Sequence, residues 1–247
     1  MQDHSSPGGL IGDGFEAAGC DVSEMVVVPK ERYHSPDVAV TFPSPSEYDA
    51  VVFFGAVWSA YDTVTIPWVS DEIGYARSLI ALGVPALGIC FGGQVLAAAV
   101  GGRVERAPIP EIGWLSVASD TSAEPGLIDS GPWLSWHFDR FTVPAHVPVV
   151  ARTALANQAF VSGRTLGLQF HPEVTDAVLE AWLRSDDAAQ LTKSGVDPQA
   201  LIEQSRTLAD GAAARAHGLV RRFVYDVARR PASELPPMTL VSGNSSP

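Results

Sequence analysis

Cysteine is nearly absent: Cys20 and Cys90 are the only two among 247 residues. Two thiols cannot build a disulfide framework, and this usage fits a reducing compartment. Positive charge is scarce too, with 16 Lys and Arg against 28 Asp and Glu and a formal net charge of −12. No basic stretch is available to track a phosphate backbone, which excludes a general nucleic-acid binder. No segment reaches the roughly 18 uncharged apolar residues that a membrane span needs. The opening MQDHSSPGGLIGDG carries neither the basic region nor the apolar core of a signal peptide. These absences predict a cytoplasmic protein with no nucleic-acid or membrane partner. The phosphate-binding pattern G-x-x-x-x-G-K-[ST] is also missing, so nothing reads as an ATP-using synthetase domain. What the chain does have is apolar material, 46% of its residues, enough for one sizeable core.

Three short apolar runs, EMVVV at 24–28, AVVFF at 50–54 and PALGI at 85–89, read as buried parallel strands, because they are near-continuous rather than alternating. Between the second and third, VSDEIGYARSLIALG (69–83) repeats Ile73, Ala76, Leu79 and Ile80 at helical spacing and ends on the C-cap candidate Gly83. Strand, helix and strand make a right-handed βαβ unit. Beyond Gly101, WLSVAS, FTVPA and VPVVART read as shorter strands, and 157–170 reads as a hairpin turning at Ser162-Gly163. DAVLEAWLRS follows as a helix. The middle of the chain is thus expected to add a mixed or antiparallel part to an α/β core. Asp197-Pro198 is an N-cap and N1 pair. It opens an amphipathic stripe through Leu201, Leu208, Ala212, Leu219, Phe223 and Val227, which Gly211 and Gly218 weaken or divide. From Pro231 the composition is that of a disordered tail.

Gly88-Ile89-Cys90-Phe91-Gly92 has the form G-x-C-x-G, the thiol version of a nucleophile elbow. Such a turn lifts the thiol clear of the sheet, and the positive end of the following helix favours thiolate. The plain alternative is a small buried thiol of the core. A nucleophile needs a base, and His171 stands out among six histidines, at a strand end in LQFHPE. Glu173, two residues on, can receive the second imidazole nitrogen and hold the tautomer. Read alone, His-Pro-Glu is a strand-to-helix turn; with the elbow it predicts a Cys-His-Glu site. A zinc site at Cys90, His137 and His171 has no compact ligand spacing in its favour, so neither a metal nor a cofactor is expected.

Together, GICFGGQ and FHPE resemble the class I, triad-type glutamine amidotransferases, and most closely the stand-alone proteins similar to the amidotransferase domain of GMP synthase. The likeness covers residues 2 to about 184, with VVFFGAVWSAYD, PWVSDEI, GGRVERAP, EIGW and WHFDRFTVP in the expected order. It implies a flavodoxin-like or Rossmann-like α/β fold, a mostly parallel sheet with helices on both faces. A small antiparallel addition and a C-terminal helical extension complete it. The expected amidotransferase domain spans 1–185. The helical extension, 186–230, packs on it or on a partner, and 231–247 form the tail.

The resemblance also implies roles. Cys90 attacks the side-chain amide of glutamine, His171 carries the proton and Glu173 orients it. Backbone N–H groups of Gly55 or Ala56 and of Phe91 make the oxyanion hole. Gln94 and the backbone of Trp136-His137-Phe138 hold the substrate, with His137 and Asp139 structural or positioning. Two departures stand out. Family members carry an apolar strand just before the segment matching QDHSSPGG; either the true start lies upstream of Met1, or this protein does without that strand, which would expose ladder groups of a parallel sheet. GAVWSAYD replaces a glycine-rich turn, so a positive backbone angle at Ala56 would cost about 1 kcal/mol. Three functions are open at this point. They are a glutamine amidohydrolase supplying ammonia to a separate acceptor or synthetase polypeptide, a hydrolase of γ-glutamyl amide conjugates, and a non-catalytic binding protein. A homo-oligomer is compatible with each.

Overall fold

The computed structural model describes residues 1–120, 126–184, 191 and 194–229, so the expected tail at 231–247 lies outside the described residues. Among these, a six-stranded sheet runs in the order β1 (Val51–Phe53), β2 (Ala86–Ile89), β8 (Thr165–Leu168), β7 (Asn157–Ser162), β6 (Val149–Arg152) and β4 (Ala118–Ser119). β1, β2 and β8 pair in parallel, while β8 to β7, β7 to β6 and β6 to β4 are antiparallel. Parallel pairing is therefore confined to the end of the sheet that carries the elbow. The hairpin turns at Gly163 with φ 57°, as its Ser-Gly pair predicts. A separate ribbon pairs β3 (Arg103–Leu115) with β5 (Trp133–Thr142), its register shifting between Arg106 and Glu111.

Helices cover both faces of the main sheet, and the alternation along β2 shows why. Leu87 and Ile89 point to the side packed by α1 (Gly9–Ala17) and α5 (Pro198–Arg222), joining Ile11, Phe15, Leu219 and Phe223 in one buried cluster. Ala86 points to the other side, where α2 (Pro67–Leu82) and α3 (Phe91–Ala99) contribute Trp68, Leu79, Phe91 and Leu96 to a second cluster. Burying each large apolar side chain contributes roughly 1.5–3 kcal/mol. Gly83 caps α2 in the left-handed conformation, and the Asp197 carboxylate caps α5 by accepting from the N–H groups of Gln199 and Ala200. The helix α4 (Asp176–Arg184) precedes α5.

Two expectations need correcting. The run EMVVV forms no ladder strand of the sheet. Its backbone instead meets the first two residues: Val27 and Val28 N–H groups donate to the Met1 and Gln2 carbonyls at 3.0 and 2.9 Å. β1 is accordingly the terminal strand of the sheet. Nor do Gly211 and Gly218 divide the last helix. α5 runs unbroken for 25 residues because its apolar stripe is fully used, with Ala216, Leu219 and Val220 buried. Tertiary packing there outweighs the propensity cost of two glycines.

Candidate active site

The elbow is built by close approach. A Cβ on Gly88 would stand 2.4 Å from the Gly92 carbonyl oxygen, one on Gly92 2.2 Å from that of Phe53, and one on Gly93 2.1 Å from that of Leu168. Only glycine lets α3 start this close to the ends of β1 and β8. Cys90, between β2 and α3, has φ 51° and ψ −107°, and it is the one non-glycine residue with positive φ among the described residues. A conformation of this kind costs on the order of 1–3 kcal/mol and persists only where its surroundings hold it. Here the Cys90 N–H donates to the Leu168 carbonyl at 2.9 Å, and its own carbonyl accepts from Gln94 N–H at 3.0 Å.

His171 follows β8 and is tied to β5 through its N–H, which donates to the Leu134 carbonyl at 2.7 Å. Its Nδ1 stands 2.7 Å from Oε1 of Glu173, and both side chains are buried. Nε2 makes no hydrogen bond, and an ideal Cβ on Gly55 would stand 3.1 Å from Cε1 of His171 and 3.9 Å from Cβ of Cys90, so ring and cysteine face the same point of the loop after β1. Catalytic contacts of this kind commonly tighten only around a substrate. Burial pulls the His171 pKa down, but the Glu173 carboxylate at Nδ1 and the neighbouring Cys90 sulfur more than offset this and hold it well above the ordinary value. The three residues singled out in the sequence thus come together in the order thiol, imidazole, carboxylate.

The remaining candidates gather around this set. A cavity of about 840 Å³ opens over the thiol, lined by Gly55, Ala56, Phe91 and Gln94 on the elbow side. A Cβ on Gly55 would stand 3.1 Å from Cε1 of His171, so a side chain at that point of the loop after β1 would press on the imidazole. Ala56 has no positive φ, and the strain anticipated there does not arise. Phe91 is the first residue of α3, where a helical N–H has no partner within its own helix. Gln94 is buried, not solvent-facing, and its Nε2 donates to Oε1 of Gln169 at 3.4 Å.

Trp136, His137 and Phe138 of β5 close the far wall. His137 is committed elsewhere, with Nδ1 2.9 Å from the Asp139 carbonyl and Nε2 3.4 Å from Oε2 of Glu111. Asp139 receives the Ser59 hydroxyl at 2.5 Å and the Tyr61 hydroxyl at 3.2 Å, fastening the loop after β1 to the ribbon. Sequence reasoning missed two residues. Gln169, inside the LQFHPE motif, directs Nε2 toward Sγ of Cys90 at 3.7 Å, and its place one step before Phe170-His171 was the available signal. Trp182 of α4 meets the His171 ring, and nothing in the local pattern marks it. Among the described residues, no group of three His, Cys, Asp or Glu side chains converges to hold a metal. No helix among them is long and apolar enough to cross a membrane.

The α/β fold thus sets Cys90 on a strand-to-helix elbow, in one cavity with the His171–Glu173 pair. The family model described as glutamine amidotransferase class-I matches residues 18–185, and the chain belongs to that family of enzymes. Glutamine-hydrolysing amidotransferase activity is the general activity this membership carries. The chain is 34% identical over 150 residues to a glutamine-hydrolyzing GMP synthase of Aeropyrum pernix, covering 55% of this chain and 28% of that protein. It is 33% identical over 135 residues to a protein of Sulfolobus acidocaldarius named as one subunit of a glutamine-hydrolyzing GMP synthase, covering 52% of this chain and 69% of that one. The chain therefore spans under a third of the full-length synthase. Among solved structures, a glutamine amidotransferase of Thermotoga maritima superposes with a TM-score of 0.76 at 25% identity, covering 90% of this chain and 94% of that one. A glutamine amidotransferase of Methylobacillus flagellatus shares the fold, with a TM-score of 0.75 at 22% identity over 92% of this chain and 93% of that one.

Proposed function

We propose that the chain hydrolyses the side-chain amide of glutamine through a γ-glutamyl thioester on Cys90. His171 is its proton carrier and Glu173 the anchor of that imidazole. The thiolate attacks the amide carbon, and the oxygen becomes an oxyanion opposite the N–H groups of Phe91 and of Gly55 or Ala56. One such donor is worth roughly 3 kcal/mol in the transition state. The imidazolium gives its proton to the departing ammonia, water then adds with His171 as base, and the C–S bond breaks to release glutamate. Gln94 and the backbone of Trp136-His137-Phe138 hold the amino-acid end. The amidotransferase unit spans 1–185, with α5 packed against α1 and the sheet, and ammonia passes to an acceptor on a separate polypeptide.

The observation that carries this reading is the 2.7 Å contact from His171 Nδ1 to Glu173, in a buried pair that shares the cavity with Cys90. The Sulfolobus relative is named as one subunit of a larger enzyme, which supports a separate acceptor. The test is formation of glutamate and ammonia from glutamine, which Cys90→Ala abolishes if the reading is right. Equal turnover in wild type and variant contradicts it.

A further inference from the structure

In this reaction the leaving group is the amide nitrogen with whatever it carries, and it departs on the side of His171, because that ring supplies its proton. Ammonia is small and strongly hydrated, so it asks only for a polar exit. One side of His171 is bordered by an aromatic pair. The Trp182 indole meets the imidazole edge-on, with centroids 5.0 Å apart and planes at 73°. Trp136 meets Trp182 the same way, at 5.6 Å and 88°. All three rings line the 840 Å³ cavity, and both indoles are only part-buried, which leaves ring surface facing it. Trp182 Nε1 donates to the Ser5 carbonyl at 2.7 Å, which pins α4 at the rim. Cavities of roughly 300–1,000 Å³ enclose drug-sized molecules, and a free amino acid fills only part of one.

We propose that Trp136 and Trp182 form a subsite for the departing amine, and that the favoured substrates are γ-glutamyl amides whose nitrogen carries an aromatic ring. Glutamine is then the unsubstituted member of the class. This rests on the reading that Cys90 and His171 perform the acyl transfer. The C–S bond forms as the amide C–N bond breaks, and the imidazolium proton goes to the departing nitrogen. The neutral amine leaves between the indoles. Water then adds to the thioester carbon, one proton returns to His171, the C–S bond breaks back to thiolate, and the new γ-carboxyl group loses its proton to solvent. Two indoles at right angles offer one face and one edge, the arrangement in which a third ring packs well.

The test compares kcat/KM for glutamine, γ-glutamyl ethylamide and γ-glutamyl benzylamide in the full chain, in Trp182→Ala and in Trp182→Phe. Benzylamine is about as basic as ammonia, so the comparison with glutamine isolates ring binding from leaving-group ability. The benzylamide is expected to exceed glutamine by about tenfold, the scale of pocket discrimination for an added apolar group. Trp182→Ala lowers the benzylamide-to-glutamine ratio by a similar factor, while Trp182→Phe, which keeps a ring but loses the Ser5 bond, retains most of it. A ratio scales out any loss of folded protein. Glutamine equal to or better than the benzylamide in wild type, or a ratio unmoved by Trp182→Ala, overturns the subsite. Labelling of Cys90 by a glutamine-analogue diazoketone separates the failures. With labelling and glutamine turnover present, only the subsite falls. With neither present, the acyl-transfer reading falls and takes the subsite with it.

Discussion

The carbonyl oxygen of Glu173 stands where a side chain on Gly9 would begin, 2.1 Å from an ideal Cβ, and it accepts the Leu10 N–H at 3.0 Å. The start of α1 is thereby keyed to the backbone of the carboxylate that anchors His171. Gly9 also has φ +48°, so any side chain there is both strained and obstructed. Gly9→Ala is expected to cost about 1–2 kcal/mol of stability and to lower kcat about tenfold or more by displacing Glu173. Gly12→Ala, in the same helix with nothing within 4 Å of its Cβ, should be neutral or stabilising by up to about 1 kcal/mol. Urea unfolding and glutamine turnover on the two variants check this.

Cys90 holds an unfavourable backbone conformation for the sake of its position. Cys90→Ala should abolish turnover while leaving the strain in place. Cys90→Gly should be equally inactive and more stable than the alanine variant by about 1 kcal/mol, since glycine accepts φ 51° without penalty. Thermal melts of the two inactive proteins decide the point. An alanine variant more stable than the glycine one would show that the turn is not strained.

His171 makes stability depend on pH. The His171 pKa is raised in the folded protein, so the native state binds that proton more tightly than the unfolded chain. The resulting stabilisation is present in full below the unfolded value of about 6.5 and is lost as pH rises through the folded pKa. Glu173→Gln removes the main support for the proton. The stability gap between wild type and variant should be widest near pH 6 and narrow on the alkaline side, read from urea unfolding at a series of pH values. Turnover in the same variant should fall by about a hundredfold or more, because the imidazole loses its orienting carboxylate.

Much of the candidate site was legible because its residues adjoin loud local signals. Cys90 is bracketed by glycines that close packing demands, and His171 stands three residues past the end of β8, just before Pro172. EMVVV misled because an apolar run looks the same whether or not a sheet receives it; here Met25 and Val26 remain 37% and 42% exposed. The helix-breaking expectation at Gly218 failed for another reason. α1 approaches α5 so closely that a Cβ on Gly14 would stand 2.9 Å from Val220, and that packing is invisible from either segment alone. Trp182 was unreadable because its role depends on how α4 is rotated against His171. Gln169 was hidden in plain view, inside a motif whose next residues carry the stronger chemical signal.

Glu72 of α2 supplies a second titration. It is buried, its Oε1 accepts from Gln2 Nε2 at 2.7 Å, and its Oε2 has no partner. Burial pushes its pKa up to about 7, against the opposing pull of the Gln2 hydrogen bond and the amino terminus. A raised carboxyl pKa favours folding while the group is neutral, so this contribution is present below the unfolded value of about 4.5 and lost as pH climbs through 7. Wild type should lose about 3 kcal/mol relative to Glu72→Gln between about pH 5 and pH 8. Unfolding free energies of the two proteins across that range measure it, and parallel profiles would contradict the assignment.

The central claim is that Cys90 is a nucleophile made competent by His171. The most direct measurement is covalent capture: incubation with a glutamine-analogue diazoketone, followed by intact-mass and peptide mass spectrometry. One adduct per chain is expected, located on Cys90, absent in Cys90→Ala and formed more slowly in His171→Ala. An unmodified protein, or an adduct on any other residue, would contradict the claim.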